Sequence, residues 1–191
     1  MRVVAGVAGG LRLLAPPGRK LRPTTDRVRE AMFSSLTSLD AIRDARVLDL
    51  FAGTGALGIE ALSRGAASAT FVDADHAAIR AIEHNLSTTG LGGDAKVVHG
   101  DALRFVEATH WSAENGFDLA LVDPPYAFDE WPRLLAALPA RLALLETGAH
   151  IDIHPPWVAV RSRRHGDTVV TLVRRQSGVA PDEVGEREDA G

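Results

Sequence analysis

From Val47 onward the chain repeats one unit: a short apolar run, a loop, then a segment with helical spacing. The runs Val47 to Leu50, Thr70 to Asp73, Lys96 to Val98 and Phe117 to Val122 are too short for buried helices and read as strands. Ala56 to Ser63 and His76 to Leu86 follow the first two, the second with Ile79, Ile82 and Leu86 at helical spacing. Alternation of this kind builds a parallel, doubly wound α/β sheet. A helix from about Trp131 to Leu145 and a fifth strand, Ala149 to Ile153, are predicted next. Trp157 to Arg163 and Thr168 to Arg174 flank Arg164-His165-Gly166-Asp167, which reads as a hairpin adding an antiparallel pair at the sheet edge. Before the sheet, Val3 to Leu14 reads as a two-stranded ribbon turned at Ala8-Gly9-Gly10, and Thr24 or Thr25 caps a helix to about Leu39.

A chain of 191 residues with 46% hydrophobic content buries one sizeable core, so one main domain with a small appendage is expected. The absence of cysteine excludes disulfides, thiolate metal sites and cysteine nucleophiles. Leu134 to Leu145, the longest apolar stretch, contains Arg141 and is too short to span a bilayer. A soluble, cytoplasmic protein is expected, with no membrane association. The net charge of −4 is unevenly placed: residues 1 to 30 hold seven Arg or Lys against two acids, and residues 157 to 175 hold five against one. Basic segments of this kind attract phosphate backbones. Arg2, Arg12, Arg22, Arg27 and Arg29 are the candidate phosphate contacts in the first segment.

The apolar run Phe117 to Val122 closes on Asp123-Pro124-Pro125-Tyr126. Two prolines end the strand and hold a carboxylate and an aromatic ring at its carboxyl edge, where open α/β sheets bind ligands. That tetrad suits methyl transfer to an exocyclic amine conjugated with a ring. Such a nitrogen is a weak nucleophile because its lone pair is delocalised. The Asp123 side chain and the Pro124 carbonyl would accept its two hydrogens and localise the pair, while Tyr126 stacks on the flat base.

After the first strand, Asp49-Leu50-Phe51-Ala52-Gly53-Thr54-Gly55-Ala56-Leu57-Gly58 contains a G-x-G-x-x-G spacing, with Asp73 ending the next strand. Dinucleotide and S-adenosylmethionine (SAM) enzymes share that pattern, because both need close backbone approach and an acid for ribose hydroxyls. Three features favour SAM. Asp49 suits the cationic end of SAM and would oppose a pyrophosphate, Asp101 is placed to accept from an adenine amine, and the tetrad has no role in hydride transfer. Phe51, Gly53 and Gly55 complete the candidate cofactor set. His150, Asp152 and His154 would share one face of a strand, but no further ligand completes a metal site, so no metal is expected. The serines lack a nucleophile-elbow context.

Met1-Arg2-Val3-Val4-Ala5-Gly6, Gly9-Gly10-Leu11-Arg12-Leu13, Leu21-Arg22-Pro23-Thr24-Thr25-Asp26-Arg27-Val28-Arg29-Glu30 with Phe33, Leu48 to Ala61, and the tetrad together resemble the RsmD family of bacterial methyltransferases. The glycine loop and tetrad are common to many amino-methyltransferases, whereas the Leu21 to Glu30 segment is far more specific. The resemblance implies a Rossmann-like class I SAM-dependent sheet of seven strands, the last antiparallel, with an N-terminal β-ribbon and helix. It also implies methylation of a guanine N2 in 16S ribosomal RNA, with guanine 966 the expected position. Carried over by motif, the methionine end of SAM lies near Asp49 and Gly53, the ribose near Asp73, the adenine near Asp101, and the guanine between Asp123 and Tyr126. Asp73 stands where a glutamate is common, and the acidic tail has no counterpart in the family.

The expected organisation is an RNA-binding ribbon and helix over 1–40, a catalytic domain over 41–176 and an acidic, disordered tail over 177–191. The expected partner is 16S rRNA in the small ribosomal subunit or an assembly intermediate, and the enzyme is expected to be a monomer. Two rivals stand beside this reading. One is a DNA methyltransferase acting on adenine N6 or cytosine N4, which would share both motifs but usually needs a larger recognition region. The other is a ribosome-assembly module without chemistry, which the intact Asp49, Asp73, Asp123, Tyr126 and glycines oppose.

Overall fold

The computed structural model describes residues 1–15, 26–109 and 116–176. Helix α1 (Asp26–Thr37) precedes the unit β1 (Arg46–Leu50), α2 (Ala56–Ser63), β2 (Ser68–Asp73), α3 (His76–Thr89), β3 (Ala95–His99), α4 (Ala102–Ala108), β4 (Phe117–Val122). Helix α5 (Trp131–Ala137), β5 (Ala140–Thr147), β6 (Trp157–His165) and β7 (Thr168–Arg175) complete it. The seven strands form one sheet in the order β3-β2-β1-β4-β5-β7-β6, with β1 to β5 parallel and β7 antiparallel to both neighbours. The seven-stranded sheet with its last strand antiparallel is therefore present as expected. Among the described residues, no helix is long and apolar enough to cross a membrane.

Alternation along β1 shows why both faces are covered. Val47 joins a core with Met32, Phe33, Ile59 and Ile82 from α1, α2 and α3, whereas Leu48 and Leu50 join Leu103, Val106 and Leu134 from α4 and α5. Local chemistry fixes the helix ends. The Asp75 carboxylate accepts from Ala77 N (2.7 Å) at the start of α3, and Gly90, at φ 72°, ends it in the left-handed conformation.

Two sequence expectations change in the second half. The helix predicted over Trp131 to Leu145 stops at Ala137, and the fifth strand runs Ala140–Thr147, not Ala149 to Ile153. Pro139 cannot extend the helix, and burial of β5 between β4 and β7 overrides the helix-forming tendency of its Leu, Ala and Glu residues. Arg175 closes the break, donating to Leu138 O (2.6 Å) and Ala140 O (3.2 Å). Helix α4 and the short 3₁₀ turn Gly92–Asp94 are additional to the elements read from sequence.

The N-terminal ribbon is reduced to an isolated bridge, Arg2 to Arg12, around a turn in which Gly10 N donates to Val3 O (2.9 Å). Its outer partner is side-chain chemistry on α2 and α3. Buried Glu60 accepts from Val4 N (2.6 Å) and Ala5 N (3.0 Å), Ser63 Oγ from Ala8 N (3.0 Å), and Asn85 Oδ1 from Leu14 N (2.7 Å). Val3, Ala8 and Leu13 share the core of α1, α2 and α3. The capping residues Thr24 and Thr25 lie outside the described residues.

Candidate active site

The strand order reverses between β1 and β4, and in such sheets the ligand crevice lies outside the carboxyl ends at that switch point. Leu50 pairs with Val122, so Phe51 and Asp123 leave the sheet side by side. Two pockets open there and share Pro125.

The smaller, about 320 Å³, is lined by Phe51, Asp73, Asp75, Asp101 and Ala102. Three carboxylates surround it and no basic side chain lines it. That set suits hydroxyls, amines and a cation and opposes a pyrophosphate. At Gly53 a β-carbon would find only Phe51 O, 3.8 Å away, so the φ of +58° is what favours glycine there. Asp73 Oδ2 accepts from Gly53 N (2.8 Å) and Oδ1 from Asp75 N (2.9 Å), so this buried acid also shapes the glycine loop. Asp101 is exposed and caps α4, accepting from Arg104 N (2.9 Å).

The other glycines answer to packing. A β-carbon at Gly55 would meet Ile82 and Phe71 at 3.2 and 3.3 Å, and one at Gly58 would come within 2.3 Å of Phe71. Asp49 also has a structural bond. It lines neither pocket, is 1% exposed, and its Oδ2 accepts from Gly58 N (2.8 Å), which ties strand β1 to α2. Burial pushes the Asp49 carboxyl well above the usual carboxylate range against the Gly58 N–H, and the nearby Asp123 and Asp73 charges push the same way.

The larger pocket, about 570 Å³, is lined by Pro124, Pro125 and Tyr126 together with Phe128, Trp131 and the Glu146 to Ala149 segment. Tyr126 is 63% exposed, so its ring is open to solvent. Phe51, Phe128 and Trp131 form an edge-to-face chain with centroids 5.2 and 5.3 Å apart, which joins the walls of the two pockets. Phe51 holds a left-handed φ of 57°, a conformation that costs a non-glycine residue about 1–3 kcal/mol and clusters at functional sites.

Comparison with known proteins decides the family. The model of a family described as Conserved hypothetical protein 95 matches residues 1–174. Ribosomal RNA small subunit methyltransferase D of Escherichia coli is 43% identical over 128 residues, which cover 66% of this chain and 60% of that relative. The chain belongs to the RsmD family. YlbH of Bacillus subtilis is 39% identical over 171 residues, 90% of this RsmD-family chain and 91% of the relative. The solved structure of YhhF from Escherichia coli superposes with a TM-score of 0.80 at 34% identity, covering 92% of this chain and 98% of that one. The fold is that of the class I SAM-dependent methyltransferases.

The arginines singled out in this RsmD-family sequence have different fates. Arg29 is 1% exposed, donates to Arg2 O (2.5 Å) and Asp26 Oδ1 (2.8 Å), and lies 3.9 Å from Glu60. Its guanidinium is used inside the fold, which corrects the expectation of a phosphate contact. Arg2, Arg12 and Arg27 are exposed, Arg2 in an ion pair with Asp26 (3.1 Å), and Arg22 lies outside the described residues. Sequence reasoning missed Asp75, Phe128, Trp131, Glu146, Thr147, Gly148 and Asp167 as pocket residues. The aromatic pair just beyond the tetrad was the available signal for Phe128 and Trp131. The segment His150 to His154 is not a strand, so its two histidines and Asp152 do not share a strand face.

Proposed function

We propose that this protein transfers a methyl group from SAM to the exocyclic N2 of a guanine in 16S ribosomal RNA, at guanine 966 within the small subunit. One observation carries the reading: an acid-lined pocket and an aromatic pocket lined by Pro124, Pro125 and Tyr126 meet at Pro125, next to Asp123 at the end of β4. The name of the Escherichia coli relative, a small-subunit rRNA methyltransferase, supports the substrate class. Bound SAM supplies an electrophilic methyl carbon. Asp73, with Asp75 beside it, accepts from ribose hydroxyls, Asp101 accepts from the adenine amine, and Phe51 walls the pocket on the side of the acceptor.

The chain's remaining work is done on the guanine. Tyr126 stacks on a base that has left its own stack. Asp123 and the Pro124 carbonyl accept from the N2 hydrogens and hold the nitrogen lone pair toward the methyl group, so positioning supplies most of the acceleration. Attack makes the nitrogen acidic, and the Asp123 carboxylate or water takes the proton. Arg2, Arg12, Arg22 and Arg27 hold phosphates nearby. Radiolabelled methyl transfer to small subunits from a strain lacking the enzyme, followed by mapping of the modified nucleotide, tests the proposal. Incorporation into DNA, or at a ring atom of the base, would overturn it.

A further inference from the structure

The sheet ends in a basic edge that points at the acceptor pocket. Strand β6 pairs only with β7, and because β7 is antiparallel to both β5 and β6, β6 runs in the same direction as the parallel strands. Its last residue, His165, therefore stands at the carboxyl edge of the sheet, and Asp167 in the turn that follows lines the acceptor pocket.

Arg161 and Arg163 lie opposite Leu172 and Val170, on the face beside α1, where they rim a shallow groove with Ala31 and Ser35. A slip in register between Ala159 and Arg161 sets this parity. Two residues along a strand advance roughly 6.5 Å, so the two guanidinium groups form a spaced row. Both are exposed. Arg161 donates to Ser35 Oγ (3.2 Å), and no carboxylate among the described residues pairs with Arg161, Arg163 or Arg164, in contrast to Arg2, Arg29, Arg46, Arg64 and Arg133. Arg27 shares the α1 face of Ala31 and Ser35 at i, i+4 spacing and extends the row across the groove. Charge on an edge strand deters pairing with other chains, but either sign serves that purpose, and β6 carries three arginines and no acid.

We propose that Arg161 and Arg163 form a phosphate track on β6 that holds the RNA backbone as it leads to the acceptor pocket. This rests on the reading of the substrate as RNA and adds a surface on the opposite side of the pocket from the cofactor. The test uses the full-length protein and a fluorescein-labelled single-stranded RNA of mixed sequence, with anisotropy read over a salt series. Arg161→Gln/Arg163→Gln should weaken binding roughly ten- to thirtyfold at ~0.1 M salt and make the log–log salt slope shallower by about 1.4. SAM binding and Tm should stay at wild-type values, and KM for small subunits should rise with kcat unchanged. Arg43→Gln, an exposed charge before β1 at the other edge, should leave the RNA affinity nearly unchanged.

Wild-type affinity and slope in the double variant would overturn the track. A loss confined to assembled subunits, with protein-free RNA bound normally, would also overturn it, because the row would then meet a ribosomal protein. Binding is read without catalysis. A protein that transfers no methyl group to RNA, yet shows the shallower slope in the variant, would keep the track and remove the reaction.

Discussion

The ring of Tyr126 rests over the backbone of Gly148: a β-carbon built on Gly148 would stand 2.6 Å from both Cδ1 and Cε1 of the ring. Real β-carbons do not come that close, so any larger residue moves the ring. Because Tyr126 is mostly exposed, it would swing outward at little cost to the fold.

Gly148→Ala should therefore leave Tm nearly unchanged while slowing methyl transfer about ten- to hundredfold through misplacement of the stacking platform. In a Tyr126→Ala background the same change should have little further effect. Full additivity of the two substitutions, measured as kcat/KM, would separate Gly148 from Tyr126.

Asp123→Ala should abolish most methyl transfer, by about 10²-fold or more, because one acceptor for the amine hydrogens is lost. SAM affinity by calorimetry should stay close to wild type, since Asp123 does not line the acid-lined pocket. Wild-type turnover would remove Asp123 from the mechanism.

Glu60 is fully buried and receives Val4 N, Ala5 N and Arg64 Nε (2.7 Å), with Arg29 beside it. Glu60→Ala leaves buried Arg29 without that countercharge and should cost ~3–5 kcal/mol in chemical denaturation. Amide exchange should accelerate most at Val4 and Ala5. Uniform acceleration across the sheet instead would mean that Glu60 stabilises the whole fold and does not clamp the N-terminus in particular.

Asp49 supplies the pH prediction. Its folded-state pKa is raised by burial, so the native state holds a proton that the unfolded chain releases, and stability falls as pH rises from the ordinary carboxyl value through the raised one. Asp49→Asn keeps an acceptor for Gly58 N and removes the charge. Its Tm should exceed wild type at neutral pH, and the difference should vanish in acid. A difference that grew toward low pH would contradict the sign of the shift.

The first half of the fold was legible because each signal was local. Gly53 after Val47 to Leu50, the helical spacing of Ile79, Ile82 and Leu86, and the Asp-Pro-Pro stop report structure within a few residues. Strand β5 was not legible in that way, since a strand buried on both faces is a continuous apolar run, and Ala140 to Thr147 also contains good helix formers. Pro139 was the local clue to the break. Misplacing β5 hid Glu146, Thr147 and Gly148 from the site. Arg29 misled for a different cause: an arginine on a helix reads as surface charge, and only the fold brings Glu60 beneath it.

The position of β7 has a consequence for how the molecule comes into being. The last strand among the described residues, Thr168–Arg175, does not join the rim but slots between β5 and β6. During vectorial synthesis β5 waits with one open edge, apolar and ready to pair, until some thirty further residues have emerged. Here the acceptor pocket and the outer border of the sheet are completed together, as β7 enters, and a nascent chain stalled short of Arg175 carries an adhesive strand and no finished site.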